Sequence, residues 1–466
     1  MLKKIKKRSL SFRAVLLALF GAVLIFFITQ LSALAKMHSP AFLRQTMSPI
    51  VLAQVRNPSG SRWVIKECPA TDAASIRHCG PDEGQNTCQD AVEGCSGVPI
   101  DTARGCADTV GIQNPFFVRR LLSGRYFTGY TANDVVALNV AINGDFAEER
   151  FELKYLEGVI KKARRETLHA AKRVLSRYGV ANSADVLRSA GDDDGVTFVD
   201  IGMNMGAFGL QMWSMNVSVI GVEAMPSNQR LLELSRCINE RELRGLSPFK
   251  LLPVGLTNPT SLNSNCTVIS HPTNIGDGIL VCSEEVVQDS IKRGYVTRGT
   301  VQLKTADNAI MSLLKAQTNA LHDNVLLAIE GAKAVEVADE RPFPQYSGMI
   351  APTASTQALL QYLRKPKVIV KIDVEGHELR VWEGGMKLLA EFTPVCILSE
   401  IWPELSGVKY VELMASFGYV TYVNLRDGKT RDTWTLIDGP ALAQLQKETK
   451  RLYNLVFVRP GTLLME

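Results

Sequence analysis

From Val196 onward, short runs rich in Val, Ile and Leu alternate with stretches of helical pattern, and this alternation narrows the possible folds more than any other feature. Runs that are apolar at consecutive positions are buried on both faces, which calls for a parallel sheet with helices above and below it. Seven strands are expected, at 197–201, 217–223, 250–254, 368–374, 395–400, 419–423 and 455–458. The expected fold class is α/β, a mostly parallel seven-stranded sheet with helices on both faces. No internal repeat is evident. The segment 324–331 (NVLLAIEG) echoes 368–376 (VIVKIDVEG) but places Ile329 where the latter has Asp373, so it reads as a decoy. The interval 309–365 is longer than a simple crossover and reads as an inserted excursion.

The chain before Val196 is organised differently. Lys3, Lys4, Lys6, Lys7, Arg8 and Arg13 form a basic tail, 1–13, ahead of 22 uncharged residues, 14–35. At ~1.5 Å per residue that stretch reaches about 33 Å, enough to cross the ~30 Å hydrocarbon core of a bilayer. With positive charge on its N-terminal side, it is expected to be an uncleaved signal anchor that places the rest of the chain in the lumen of the Golgi or ER. A cleaved signal peptide ending at Ala33-Leu34-Ala35, and hence secretion, is the alternative. Being the one such stretch, it excludes a polytopic membrane protein. With 46% hydrophobic and 21% charged residues the chain is not a disordered one. The formal charge of +5 becomes −1 once the six basic residues of the tail are set aside, so nothing suggests a nucleic-acid partner.

Residues 36–110 are rich in Pro, Gly and Ser and hold Cys68, Cys79, Cys88, Cys95 and Cys106 without the C-x-x-C spacing of zinc or redox sites. This range reads as a disulfide-stapled stem, as suits an oxidising compartment. Five is odd, so one thiol stays free or pairs with Cys237, Cys266, Cys282 or Cys396. Two glycosylation sequons occur, at Asn216 beside an expected buried strand and at Asn265 in a loop; only the second is expected to be usable. Residues 111–195 read as a helical extension, with amphipathic helices over 146–188 that turn Phe151, Leu153, Leu156, Val159 and Ile160 to a core. Their Lys161, Lys162, Arg164 and Arg165, interleaved with acids, read as a solvated face, with phosphate binding as the alternative.

Two motifs carry chemistry. In Phe198-Val199-Asp200-Ile201-Gly202-Met203-Asn204-Met205-Gly206 an apolar strand runs through a glycine-rich turn into a helix, a turn where backbone and ligand can come close. The next strand ends at Glu223, 23 residues beyond Asp200. A carboxylate at that strand tip is placed to bind ribose hydroxyls, and Asp200 and Glu223 are expected to grip the same adenosyl ligand. The pattern D-x-G-x-N-x-G lacks the G-x-G-x-x-G that admits a pyrophosphate, which argues against a nicotinamide or flavin oxidoreductase. Met203 and Met205 read as packing residues. The second motif, Val368 to Glu378, brings Asp373 and Glu375 to the C-terminal edge of a strand, followed by His377. Glu378, at the next helix start, serves catalysis or the helix dipole. No metal site is expected.

These segments, FVDIGMNMGAFG, VIGVEAMPSN, KIDVEGHELRVWEGG and ILSEIWPE, resemble in order the motifs of FkbM-type S-adenosylmethionine-dependent methyltransferases, over about 196–425 of a domain drawn as 196–460. The resemblance implies a Rossmann-like domain and, commonly, O-methylation of hydroxyls on sugars or natural products. It also implies that Asp200, Gly202, Asn204, Gly206 and Glu223 hold the cofactor S-adenosyl-L-methionine, with Asp373 and Glu375 where cofactor meets acceptor. Thr305-Ala306-Asp307 resembles the family's T-x-D element. Departures are the bulky Met203 and Met225, His377 in place of a small residue, and the long 309–365 segment. A hydroxyl acceptor must lose its proton, and the candidate bases are Asp373, then His377 and Glu375. A glycan, a lipid or a small hydroxylated molecule is the expected acceptor. A catalytically silent binding protein on the same fold is the alternative.

Overall fold

The computed structural model describes residues 54–56, 62–64, 100–112, 116–130, 134–137, 140, 146, 150–180, 182–189, 195–264, 266–317, 320–338, 354–401, 405–424, 434–449 and 453–460. All of these belong to one compact unit. Its first elements are β1 (Gln54–Arg56), β2 (Arg62–Val64), α1 (Ile100–Val110), the hairpin β3 (Phe116–Arg120) and β4 (Tyr126–Tyr130), α2 (Arg150–Arg177) and α3 (Ser183–Ser189). There follow β5 (Val196–Ile201), α4 (Ala207–Ser214), β6 (Ser218–Val222), α5 (Pro226–Glu242), β7 (Phe249–Leu252) and β8 (Gly255–Leu256). Next come β9 (Cys266–His271), β10 (Asn274–Val281), α6 (Glu284–Lys292), β11 (Val296–Val301), β12 (Leu303–Lys304), α7 (Ala306–Ala316), α8 (Ala320–Ala338) and α9 (Ala354–Arg364). The chain closes with β13 (Lys367–Ile372), α10 (Glu378–Glu383), α11 (Met386–Phe392), β14 (Cys396–Ile401), α12 (Leu405–Ser416), β15 (Val420–Asn424), β16 (Trp434–Ile437), α13 (Gly439–Thr449) and β17 (Tyr453–Val458).

The central sheet has eight strands in the order β7-β6-β5-β13-β14-β17-β15-β16, one more than expected. Strands β5 and β13 lie parallel at its centre and are buried at every residue. Side chains alternate across the sheet, as the two-residue repeat of a strand requires. Phe198, Val219, Ile369 and Leu398 enter one core with Leu156 and Ile160 of α2. Val199, Ile220, Val370 and Ile397 enter the other with Trp382, Leu389 and Tyr410. Strand β17 runs antiparallel to both of its neighbours, β14 and β15. A reversed strand thus sits between the fifth and sixth parallel ones, unlike the uninterrupted 3-2-1-4-5-6 order of the dinucleotide-binding fold. The added edge strand, β16, is short and half exposed, so it lacks the apolar run by which the others can be recognised.

Upstream, the division of the chain differs from the expected one. Helix α1, inside the range read as a stem, is part of the folded body: Ala103, Cys106 and Ala107 are buried, and Cys106 is disulfide-bonded to Cys237 of α5. The extension 111–195 is not purely helical, since β3 and β4 pair within it. Within α2, Leu153, Leu156, Val159 and Ile160 face the core as expected, while Phe151 stacks on Trp434 of β16. The decoy 324–331 lies within α8. A second disulfide joins Cys266 to Cys282, and Cys396 is a buried free thiol. The segment 14–35, Cys68, Cys79, Cys88, Cys95 and Asn265 lie outside the described residues. Among the described residues no helix is long and apolar enough to cross a membrane.

Candidate functional site

After β5 the chain turns through Gly202 (φ +74°), Asn204 (φ +53°) and Gly206 (φ +93°) into α4. Glycine is required at 202 by more than its dihedral, because a Cβ there would lie 1.7 Å from the carbonyl oxygen of Asp373. The loops after β5 and β13 therefore touch backbone to backbone, and the Asp373 N–H donates to the Ile201 carbonyl at 3.0 Å. Glu223, just past β6, closes the turn from the other side. Its Oε2 accepts the Asn204 N–H and its Oε1 the Met225 N–H, both at 2.7 Å. Burial pushes this carboxyl up to about 7, against the pull of those two amides.

Asp200 does not join it. Its carboxylate is fully buried behind the turn, where Oδ2 accepts the Gly209 N–H at 2.8 Å in the first turn of α4. Its Oδ1 lies 3.8 Å from Lys371 Nζ, and burial pushes the carboxyl up to about 6. The ammonium of Lys371 donates to the Gly202 carbonyl at 3.0 Å and lies 3.4 Å from Asp373 Oδ2. The expectation that Asp200 and Glu223 grip one ligand is thus corrected: of the two, only Glu223 faces the cavity, while Asp200 and Lys371 hold the loop from beneath. Gly206 also lies away from the cavity, packed against Leu232. Lys371 carried no distinguishing signal beyond its charge inside a buried strand.

The loop after β13 carries Asp373, Glu375 and His377, all of which line the cavity. Glu375 is held at φ +54°, a conformation that a non-glycine residue keeps only when its surroundings enforce it. Glu378 does the enforcing: it is buried, and its Oε1 accepts the Val374 and Gly376 N–H groups. Burial, then repulsion from Asp373 and from Asp277, raises Glu375 to about 9. His377 is lowered by burial and by the charge of Arg380, and its Nδ1 is buried with no hydrogen-bond partner. Thr305 caps α7, and Asp307 accepts the Lys387 and Leu388 N–H groups at the start of α11, so the T-x-D element is a clamp.

A third side of the cavity was not legible beforehand. It is formed by Gly276, Asp277, Gly278 and Leu280 of β10, and beside them lies Asn228 of α5. Asn228 Nδ2 donates to the Gly276 carbonyl at 2.8 Å and to Asn204 Oδ1 at 3.2 Å. Its own Oδ1 accepts the Tyr130 hydroxyl at 2.8 Å, while Asp134 accepts the Gly276 N–H at 2.7 Å. The hairpin region before α2 thus seats β10 over the cavity. Four carboxylates (Glu223, Asp277, Asp373 and Glu375) line it, and among the described residues no lysine or arginine does. No His, Cys, Asp and Glu grouping suited to a metal ion is found among the described residues.

No family model matches this chain. No curated protein matches it either. Among solved structures, precorrin-6y C5,15-methyltransferase from Geobacter metallireducens GS-15 aligns over 59% of this chain and 85% of its own length, at 9% identity and a TM-score of 0.22. A likeness of that size carries no argument about function, which rests instead on the cavity itself.

Proposed function

We propose that the cavity binds S-adenosyl-L-methionine and that the protein is a methyltransferase acting on a hydroxyl of a glycan, lipid or other small hydroxylated acceptor. The observation that carries this reading is the chemistry of the lining: carboxyl groups from the ends of β6 (Glu223) and β13 (Asp373 and Glu375) and from β10 (Asp277), with no lysine or arginine among the described lining residues. Such a lining favours a cationic ligand with hydroxyls and disfavours a pyrophosphate. Bound there, the cofactor would supply an activated methyl group. Glu223 would accept the ribose hydroxyls on the lone pairs its two amide contacts leave free. Asp373 and His377 are the groups suited to taking the acceptor's proton, the latter as a neutral imidazole with an unused nitrogen. Glu375, protonated at neutral pH, would donate a hydrogen bond. The segment 14–35 would tether the enzyme in the lumen of the Golgi or ER, or be removed on secretion.

A silent binding protein on this fold is a second reading, favoured by the tightness of the cavity. Its free space is 90 Å³, below the ~300–1,000 Å³ of ordinary cofactor pockets. Incubating the full chain with methyl-labelled S-adenosylmethionine and panels of glycans, lipids and small hydroxylated molecules tests both readings. Label transferred to an acceptor supports the enzyme; saturable binding with no transfer to any acceptor supports the silent protein; no binding ends both.

A further inference from the structure

A second concavity, a cleft of 580 Å³ between α2 and α9, is lined by Lys162, Arg165, His169 and Arg173 from one helix and by Leu359 and Tyr362 from the other. The four α2 residues recur at intervals of three and four, so they form one stripe along the helix. Their neighbours have other duties: Lys161 pairs with Glu157, and Arg164 donates to the Met215 and Asn216 carbonyls. None of the four cleft residues makes a hydrogen bond or ion pair among the described residues. A solvated helix face usually pairs its charges with nearby acids, and the one acid here, Glu166, is outnumbered. The stripe is also not flat against solvent. Tyr362 forms a wall 36% exposed, with the Lys367 ammonium 3.3 Å from its ring centroid, and Ala170 and Leu359 add an apolar floor.

We infer that this cleft is a binding site for a phosphate-bearing molecule with a flat or apolar body. Two guanidinium forks give planar, multidentate donors to a phosphate and the lysine adds a point charge. The exposed part of the Tyr362 ring, one face of which Lys367 covers, gives a flat or apolar body a surface to pack on. The site shares no lining residue with the carboxylate-lined cavity, and the inference is independent of the methyltransferase reading.

Calorimetric titration of the full chain with phenyl phosphate and with inorganic phosphate tests it. Phenyl phosphate is expected to bind saturably and more tightly than inorganic phosphate, and to weaken as salt rises. The double variant Arg165→Gln, Arg173→Gln should weaken it at least about tenfold, what losing one hydrogen bond between charged groups costs. Tyr362→Leu should weaken phenyl phosphate alone, and Lys161→Gln should change neither. Absence of saturable binding, or equal affinity in wild type and the double variant, overturns the proposal. So does an outcome in which the protein ignores phenyl phosphate but binds vesicles containing phosphatidylserine through the same arginines, which would make the stripe a membrane-facing surface.

Discussion

Met203 fills the space that Gly221 leaves open: a Cβ on Gly221 would lie 2.2 Å from the Met203 sulfur. Gly209, on α4, leaves room for the same side chain, since a Cβ there would lie 2.2 Å from Met203 Cε. The bulky residue in the glycine-rich turn is therefore matched by two small ones, on the neighbouring strand and on the following helix. Overpacking a filled core costs about 1–3 kcal/mol. Gly221→Ala is expected to lower stability by that amount, and Met203→Ala in the same chain to return part of it. Urea unfolding of both single variants and the double variant measures the coupling; additive losses would show that the two positions do not share one space.

Lys371 carries the second prediction. It is the cation facing fully buried Asp200 and also holds the Gly202 carbonyl. Removing one partner of a buried ion pair costs about 3–5 kcal/mol, because the other charge is left uncompensated. Lys371→Met should therefore destabilise strongly, and adding Asp200→Asn should restore much of the loss. Thermal unfolding of the single and double variants checks it. Asp200→Asn should leave cofactor affinity nearly unchanged if Asp200 only supports the loop.

How far the sequence disclosed this site follows from where its signals lie. The runs Val368-Ile369-Val370 and Cys396-Ile397-Leu398 are apolar at consecutive positions, so burial on both faces was readable from the sequence, and Gly202, Glu223 and Asp373 were readable because strand tips are where such sheets bind ligands. Asp200 was misplaced because a residue at a strand's end can face the ligand or the helix behind it, and one residue of register decides which. The β9–β11 sheet escaped because β11 is exposed or half-exposed throughout and has no buried face to set a pattern. Asp277 and Asn228 joined the site through tertiary contacts that no local spacing encodes. Helix α1 hid in a glycine- and cysteine-rich range, although Cys106 did find a partner among the cysteines left open for it.

Stability should depend on pH through Glu223. Its folded value of about 7 lies above the ~4.3 of an unfolded glutamate, so between these values the folded chain holds a proton that the unfolded chain has released. Stability from this group is present at low pH and is lost as pH rises to about 7. Wild type should therefore lose stability relative to Glu223→Gln between about pH 4 and pH 7, read from thermal melts without ligand. Affinity for S-adenosylmethionine runs the opposite way. The ionised carboxylate is the better acceptor for hydroxyls, so binding should weaken as pH falls through about 7, and this dependence should vanish in Glu223→Gln.

The three residues after β13 should separate by substitution. Glu375, raised to about 9, is neutral at pH 7, and glutamine reproduces both its shape and its ability to donate a hydrogen bond. Glu375→Gln should therefore keep most of the turnover, whereas wild-type activity should fall as pH climbs through about 9 and this residue ionises beside Asp277 and Asp373. Asp373→Asn removes a proton acceptor and should cost about 10²–10⁴ in turnover while leaving cofactor affinity in place. His377→Gln tests whether the imidazole, whose Nδ1 has no hydrogen-bond partner, shares that task. If Asp373→Asn transfers methyl groups at the wild-type rate and His377→Gln does not, the base is the histidine, and Asp373 belongs with Lys371 as a support for the loop.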